Sequence, residues 1–111
     1  MKPESKILRV WRGWTTLEKE KEYESFLVNE VFPTVKKNGV DGLEKVSISS
    51  KRLENEVEFY LVLQFDSLES VKQFAGDDYE TAYIPEKAKS ILSRYDLTAQ
   101  HYAICDELNF T

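Results

Sequence analysis

Two residue types in this chain could carry acid–base or anion chemistry, and both are scarce enough to weigh one by one. His101 is the only histidine. An imidazole with an ordinary pKa of ~6.5 could take the proton of a phenol, or could simply hydrogen-bond across a subunit boundary or near a sheet edge. Arg9 and Arg12 are three residues apart, so on a strand they face opposite ways and at most one can enter an interior. A planar guanidinium such as that of Arg12 could hold a phenolate or carboxylate, or pair with a glutamate on a rim.

Around these, Trp11, Trp14, Tyr60 and Tyr79 could wall a flat ligand or could serve as packing, since aromatics bury large areas in cores and interfaces. Gln64 is a further polar contact on the same strand as Tyr60. Glu58 could act as a base only where desolvation raised its pKa, and otherwise reads as a surface carboxylate. Cys105 is the single cysteine and has no activating neighbour in sequence. One His and one Cys do not make a zinc site, and Asp77-Asp78 reads as a helix cap before a metal site, so no metal ligand set is expected. There is no glycine-rich phosphate loop and no triad order.

The elements that must position these groups are legible from periodicity. Ile7–Trp14 is a first strand, rich in β-branched and aromatic residues. Thr15 and Thr16 are placed to cap a helix whose apolar stripe is Tyr23, Phe26, Leu27, Val31 and Val35, ending near Lys37 with Gly39 as the left-handed cap. Pro33 cannot donate to the carbonyl of Asn29, so a kink or a restarted turn is expected there.

A second strand runs from Leu43 to Leu53, and Glu54-Asn55 is the expected hairpin turn, with Asn55 able to take positive φ. The third strand alternates Val57, Phe59, Leu61, Leu63 and Phe65 and passes almost directly into a helix. Asp66 or Ser67 caps that helix, and Leu68, Val71, Phe74 and Ala75 form its apolar face. Asp77-Asp78 should cap another helical piece. Ala88, Ile91 and Leu92 mark a short helix ending near Arg94, and Thr98–Ile104 is the last strand.

The order is β-α-β-β-α-β, an α+β fold of the ferredoxin-like kind: a four-stranded antiparallel sheet with both helices on one face. The other face would present Tyr60 and Val62 at its middle, with tryptophans on the first strand. A second copy of the chain is the natural cover, and a homodimer is expected.

The 111 residues make one domain, with a core at about 7–104 and polar residues at 1–6 that should fray. A net charge of −5 argues against nucleic acid and anionic membrane as partners. No apolar run approaches the ~20 residues of a membrane span. The start, MKPESKILRV, lacks the apolar stretch of a signal peptide, and a lone cysteine suits a reducing cytoplasm.

The segments VWRGWT, EVFPTVKKNGVDG, EVEFYLVLQFDSLESVKQFAGDDYE, IPEKAKSILSRYD and HYAI resemble the antibiotic biosynthesis monooxygenase-like family, in an uncharacterised branch, from about Ile7 to Ile104. The resemblance implies a dimeric α+β barrel, two ferredoxin-like halves closing sheet to sheet. Some members of that family oxidise phenols or quinols with molecular oxygen and no metal or flavin, others degrade haem, and several have no known reaction. It therefore implies a cofactor-independent monooxygenase acting on a small aromatic or phenolic compound. His101 and Arg12 would be its catalytic groups, and Trp11, Trp14, Tyr60, Gln64 and Tyr79 its ligand contacts. The haem-degrading members use an Asn, Trp and His constellation that His101 does not match in position. The alternatives are a non-catalytic barrel that binds a small hydrophobic ligand, as in a stress response, and a purely structural dimerisation domain.

Overall fold

A computed structural model describes residues 5–111. The chain forms β1 (Ile7–Thr16), a 3₁₀ turn (Leu17–Lys19), α1 (Glu20–Phe26), a π turn (Leu27–Val31), α2 (Phe32–Asn38), β2 (Leu43–Arg52), β3 (Glu56–Phe65), α3 (Leu68–Ala75), α4 (Glu86–Ile91), β4 (Arg94–Tyr95) and β5 (Gln100–Ala103). The sheet is antiparallel in the order β2-β3-β1, with β4 and β5 following one another along the free edge of β1. This is the ferredoxin-like arrangement with its last strand broken in two, so five strands stand where four were expected.

The strict alternation of β3 is what fixes the layers. Val57, Phe59, Leu61, Leu63 and Phe65 are all buried, and they join Tyr23, Phe26, Leu27, Val71, Ala88 and Ile91 of the helical layer in one core. Residues opposite one another in an antiparallel pair share a face. The β1–β3 register therefore puts Ile7, Arg9, Trp11, Gly13 and Thr15 under the helices, and Leu8, Val10, Arg12 and Trp14 on the open face. The β1–β5 register puts His101 under the helices with Arg9, and Tyr102 on the open face.

Several local expectations are corrected. Thr15 and Thr16 remain in β1, and Thr16 makes no side-chain cap bond. Pro33 is accommodated by the π turn before it. The Phe32 N–H reaches the Leu27 carbonyl, and α2 restarts with the proline in its first turn. The β2–β3 turn closes by the Leu53 N–H on the Glu56 carbonyl at 2.7 Å, and no non-glycine residue, Asn55 included, takes positive φ among the described residues.

Asp77-Asp78 opens no helix. Asp78 instead closes a turn, accepting from the backbone and hydroxyl of Thr81. The last helix stops at Ile91 rather than near Arg94 because Leu92 turns extended (ψ 139), which frees Arg94 to pair in β4. Ser67 does cap α3, and Gly39 ends α2 with φ 76. The expected fraying concerns positions that, through residue 4, lie outside the described residues.

Candidate functional site

The break between β4 and β5 makes a groove. Where the chain leaves the β1 edge, Asp96, Leu97 and Thr98 stand up as a wall. Together with Val10, Arg12, Tyr60, Gln100 and Tyr102 of the open face, and the edge of Trp11, they line an open groove of about 450 Å³. That volume is in the range of small-molecule sites. The wall is tied down at its start. The Asp96 N–H donates to the Arg12 carbonyl at 3.0 Å, and its own carbonyl accepts from the Trp11 indole N–H at 2.8 Å. The Asp96 carboxylate accepts from Arg12 Nε at 3.1 Å, so the guanidinium is held at the mouth with its forked end uncommitted among the described residues.

Beside the groove, Trp14 is buried on the open face beneath two cations. The Arg94 guanidinium lies 4.0 Å from its ring centroid and that of Arg12 5.2 Å. Arg94 is fixed by both oxygens of Glu56, whose carboxyl is held below the ordinary range by Arg94 and then Ser93. Trp14 is thus a platform that orients Arg12 by cation–π contact rather than a groove wall. Gln64 lies on the same face but at its far end, donating to Glu44 at 2.8 Å, a carboxylate also held by Lys6.

His101 and Tyr79 sit on the other side of the sheet. Their rings meet edge to face at 5.0 Å between centroids, and His101 Nε2 lies 3.0 Å from Arg9 Nη1. Arg9 is buried (7% exposed), lies over Phe74, and also donates to the Tyr79 carbonyl. An arginine only donates, so His101 accepts through Nε2 and carries its proton on Nδ1. Burial first, and the Arg9 charge second, push the imidazole down to about 4. At neutral pH it is an uncharged ring.

The seven residues expected to form one site are therefore divided. Arg12, Tyr60 and the edge of Trp11 meet at the groove, with Trp14 under Arg12. Gln64 is remote on the same face, and His101 with Tyr79 is on the opposite face. The groove residues missed in sequence are chiefly Asp96, Leu97, Thr98 and Gln100, which depend on a strand break that no periodicity marks. Among the described residues no group of His, Cys, Asp and Glu is arranged to hold a metal ion, and no helix is long and apolar enough to cross a membrane.

No family model matches the chain, and no curated protein matches it by sequence. Among solved structures, a Bacillus cereus protein described as a "Putative Antibiotic Biosynthesis Monooxygenase" superposes with a TM-score of 0.66 at 13% identity, covering 95% of this chain and 98% of that one. Over nearly its whole length, then, the chain has the ferredoxin-like α+β fold of an antibiotic biosynthesis monooxygenase-like protein.

Proposed function

We propose that the chain is a homodimeric α+β barrel that binds a small phenolic compound in the open-face groove and oxidises it with molecular oxygen, without a metal or flavin. The observation that carries the reading is Arg12, a cation oriented by Asp96 and Trp14 at the mouth of a cavity walled by Tyr60, Tyr102, Val10 and Leu97. A phenol seated there has Val10, Leu97, Tyr60 and Tyr102 to lie against and a guanidinium for its oxygen, which favours the anion. The electron-rich anion reduces oxygen. One oxygen atom enters the ring as a quinone carbonyl. The other leaves as water with two hydrogens from the substrate, so the substrate supplies the electrons. A dry site limits side reactions of the intermediates.

Closure needs a second copy. Tyr102 is 57% exposed, Leu97 74% and Tyr60 42%, and all three line the same open groove. A partner's sheet laid over this face would bury them and exclude water. The expected sedimentation is that of a dimer, with Tyr102→Glu shifting it to monomer. A wild-type chain that sediments as a monomer at micromolar concentration counts against the barrel.

The direct test is oxygen uptake by the purified protein, with no added metal or flavin, against anthrones, naphthols and quinols. Uptake above the uncatalysed rate is expected. Arg12→Ala should weaken phenolate binding about tenfold, the loss of one partly exposed charge-assisted hydrogen bond. No uptake across the panel from a folded dimer favours the second reading, ligand binding without turnover. That reading draws on the placement of His101 away from the groove, which leaves Asp96, already engaged by Arg12, as the carboxylate lining the cavity.

A further inference from the structure

We propose that Arg9 and His101 are positioning residues for the groove, acting through the loop between α3 and α4: from the helix face they hold the segment Tyr79–Ala82, and that segment holds the groove wall. The inference rests on the reading of the open-face cavity as the binding site.

Leu97 and Thr98 lie beyond the Asp96 anchor, where the chain has left β1. Their backbone partners are on the loop between α3 and α4. The Ala82 N–H donates to the Leu97 carbonyl at 2.9 Å, Thr81 pairs with Thr98, and the Ala99 N–H donates to the Glu80 carbonyl at 2.8 Å. Residues 80–82 and 97–99 thus form a short antiparallel ladder outside the main sheet. The far half of the wall can be no better placed than this loop.

The loop is in turn pinned at Tyr79. Its carbonyl accepts from Arg9 Nη1, and its ring stands edge-on to His101, which accepts from the same Arg9 nitrogen. Arg9 makes no ion pair with a carboxylate among the described residues. A buried cation is costly, and if the position needed only volume an apolar side chain would fill it at lower cost. What the guanidinium adds is direction: rigid donors that fix a carbonyl and an imidazole at one place.

The test reads the ladder itself and needs neither substrate nor turnover, so it stands or falls apart from the oxidation chemistry. Hydrogen exchange is followed at the Ala82 and Ala99 amides, with the β1–β3 amides as internal reference. Arg9→Met keeps length and loses the donors. It should speed exchange at Ala82 and Ala99 by about tenfold or more while leaving the reference amides unchanged. His101→Ala should do the same to a smaller degree, and His101→Gln, which keeps an acceptor, should restore slow exchange. In parallel, with 1-naphthol as the probe, Arg9→Met should weaken binding severalfold although Arg12 is intact. Unchanged exchange at Ala82 and Ala99, or acceleration spread evenly over the sheet, overturns the proposal. Should Arg9→Met fail to fold, the His101→Ala and His101→Gln pair decides on the same readout.

Discussion

Gly42→Ala is expected to destabilise the protein by about 3 kcal/mol, a large part of what a domain of this size has to lose. The reason is close approach. Gly42 precedes β2, and its carbonyl accepts from the Asp66 N–H at 2.8 Å, so the entry to β2 is clamped to the β3–α3 junction. A Cβ placed there would clash with the Ser70 hydroxyl and Cβ and with the Asp66 carboxylate. None of these can step aside freely. Ser70 is buried and donates to Asp66 Oδ1, which also accepts from Ser67 Oγ at 3.0 Å, while Ser67 caps α3 through the Ser70 N–H. The two serine hydroxyls, Ser70 before Ser67, hold the Asp66 carboxyl below its ordinary range.

An added methyl must therefore break the cap network or lift β2 from β3. Urea unfolding gives the measurement, and the double variant Gly42→Ala with Ser70→Gly should recover part of the loss by removing both clashing Ser70 atoms. A cost below about 1 kcal/mol for Gly42→Ala would mean that the junction yields and is not a rigid corner.

The β3–α3 junction was readable in sequence, while its close approach to Gly42 and the groove were not, for physical reasons. The run from Val57 to Phe65 is legible because one face of β3 is wholly buried, which forces strict alternation. Ser67 is legible because a helix N-terminus has free N–H groups that few side chains can satisfy. The distortion around Pro33 follows from its missing donor, although the π turn is a solution that sequence does not single out. The failures share a different cause. Leu92 continues the apolar spacing of Ala88 and Ile91, so periodicity extends α4. Its end is set by tertiary pairing, with the Ser93 N–H donating to the Trp14 carbonyl at 2.7 Å and Arg94 pairing with Trp14 in β4. Likewise Asp77-Asp78 has the composition of a cap, but the residues that follow bond to 97–99 across the fold, a demand that lies outside any local window.

The candidate site shows the same boundary. That Arg9 and Arg12 face opposite ways follows from strand geometry alone. Which of them meets His101 follows from the β1–β5 register, and a slip of one residue would have turned His101 to the open face, opposite Leu8 or Val10, instead. Exposure does not help in advance, because the arginine under the helices is the buried one, and arginine is seldom buried without a carboxylate.

Burial of the Arg9–His101 pair has a consequence for stability that acid should expose. The folded protein holds His101 at about 4, whereas the unfolded chain titrates near 6.5. Between those values the unfolded state binds a proton that the folded state refuses. The stability that depends on neutral His101 is therefore complete above pH ~6.5 and is lost as pH falls toward ~4. His101 is partly exposed, so the full linkage value is discounted for solvent screening, to on the order of 1–2 kcal/mol.

The window separates this loss from that of the carboxylates. Asp66, Glu44 and Glu56 have lowered pKa values, so their contributions persist through the upper part of the His101 window, down to about pH 5, and fall away only nearer and below the ordinary carboxylate range. Wild type should thus lose stability between pH 7 and 5 while His101→Gln, which keeps an acceptor for Arg9 but cannot titrate, stays level. Parallel curves for the two proteins would show that burial and the Arg9 charge do not hold the imidazole neutral. A proton on Nε2 removes the acceptor for Arg9 and sets two cations 3.0 Å apart, so the acid-induced loss should begin at Tyr79 and the ladder it supports. Faster exchange at Ala82 and Ala99 at pH 5, ahead of any change in the β1–β3 amides, is the expected order of events.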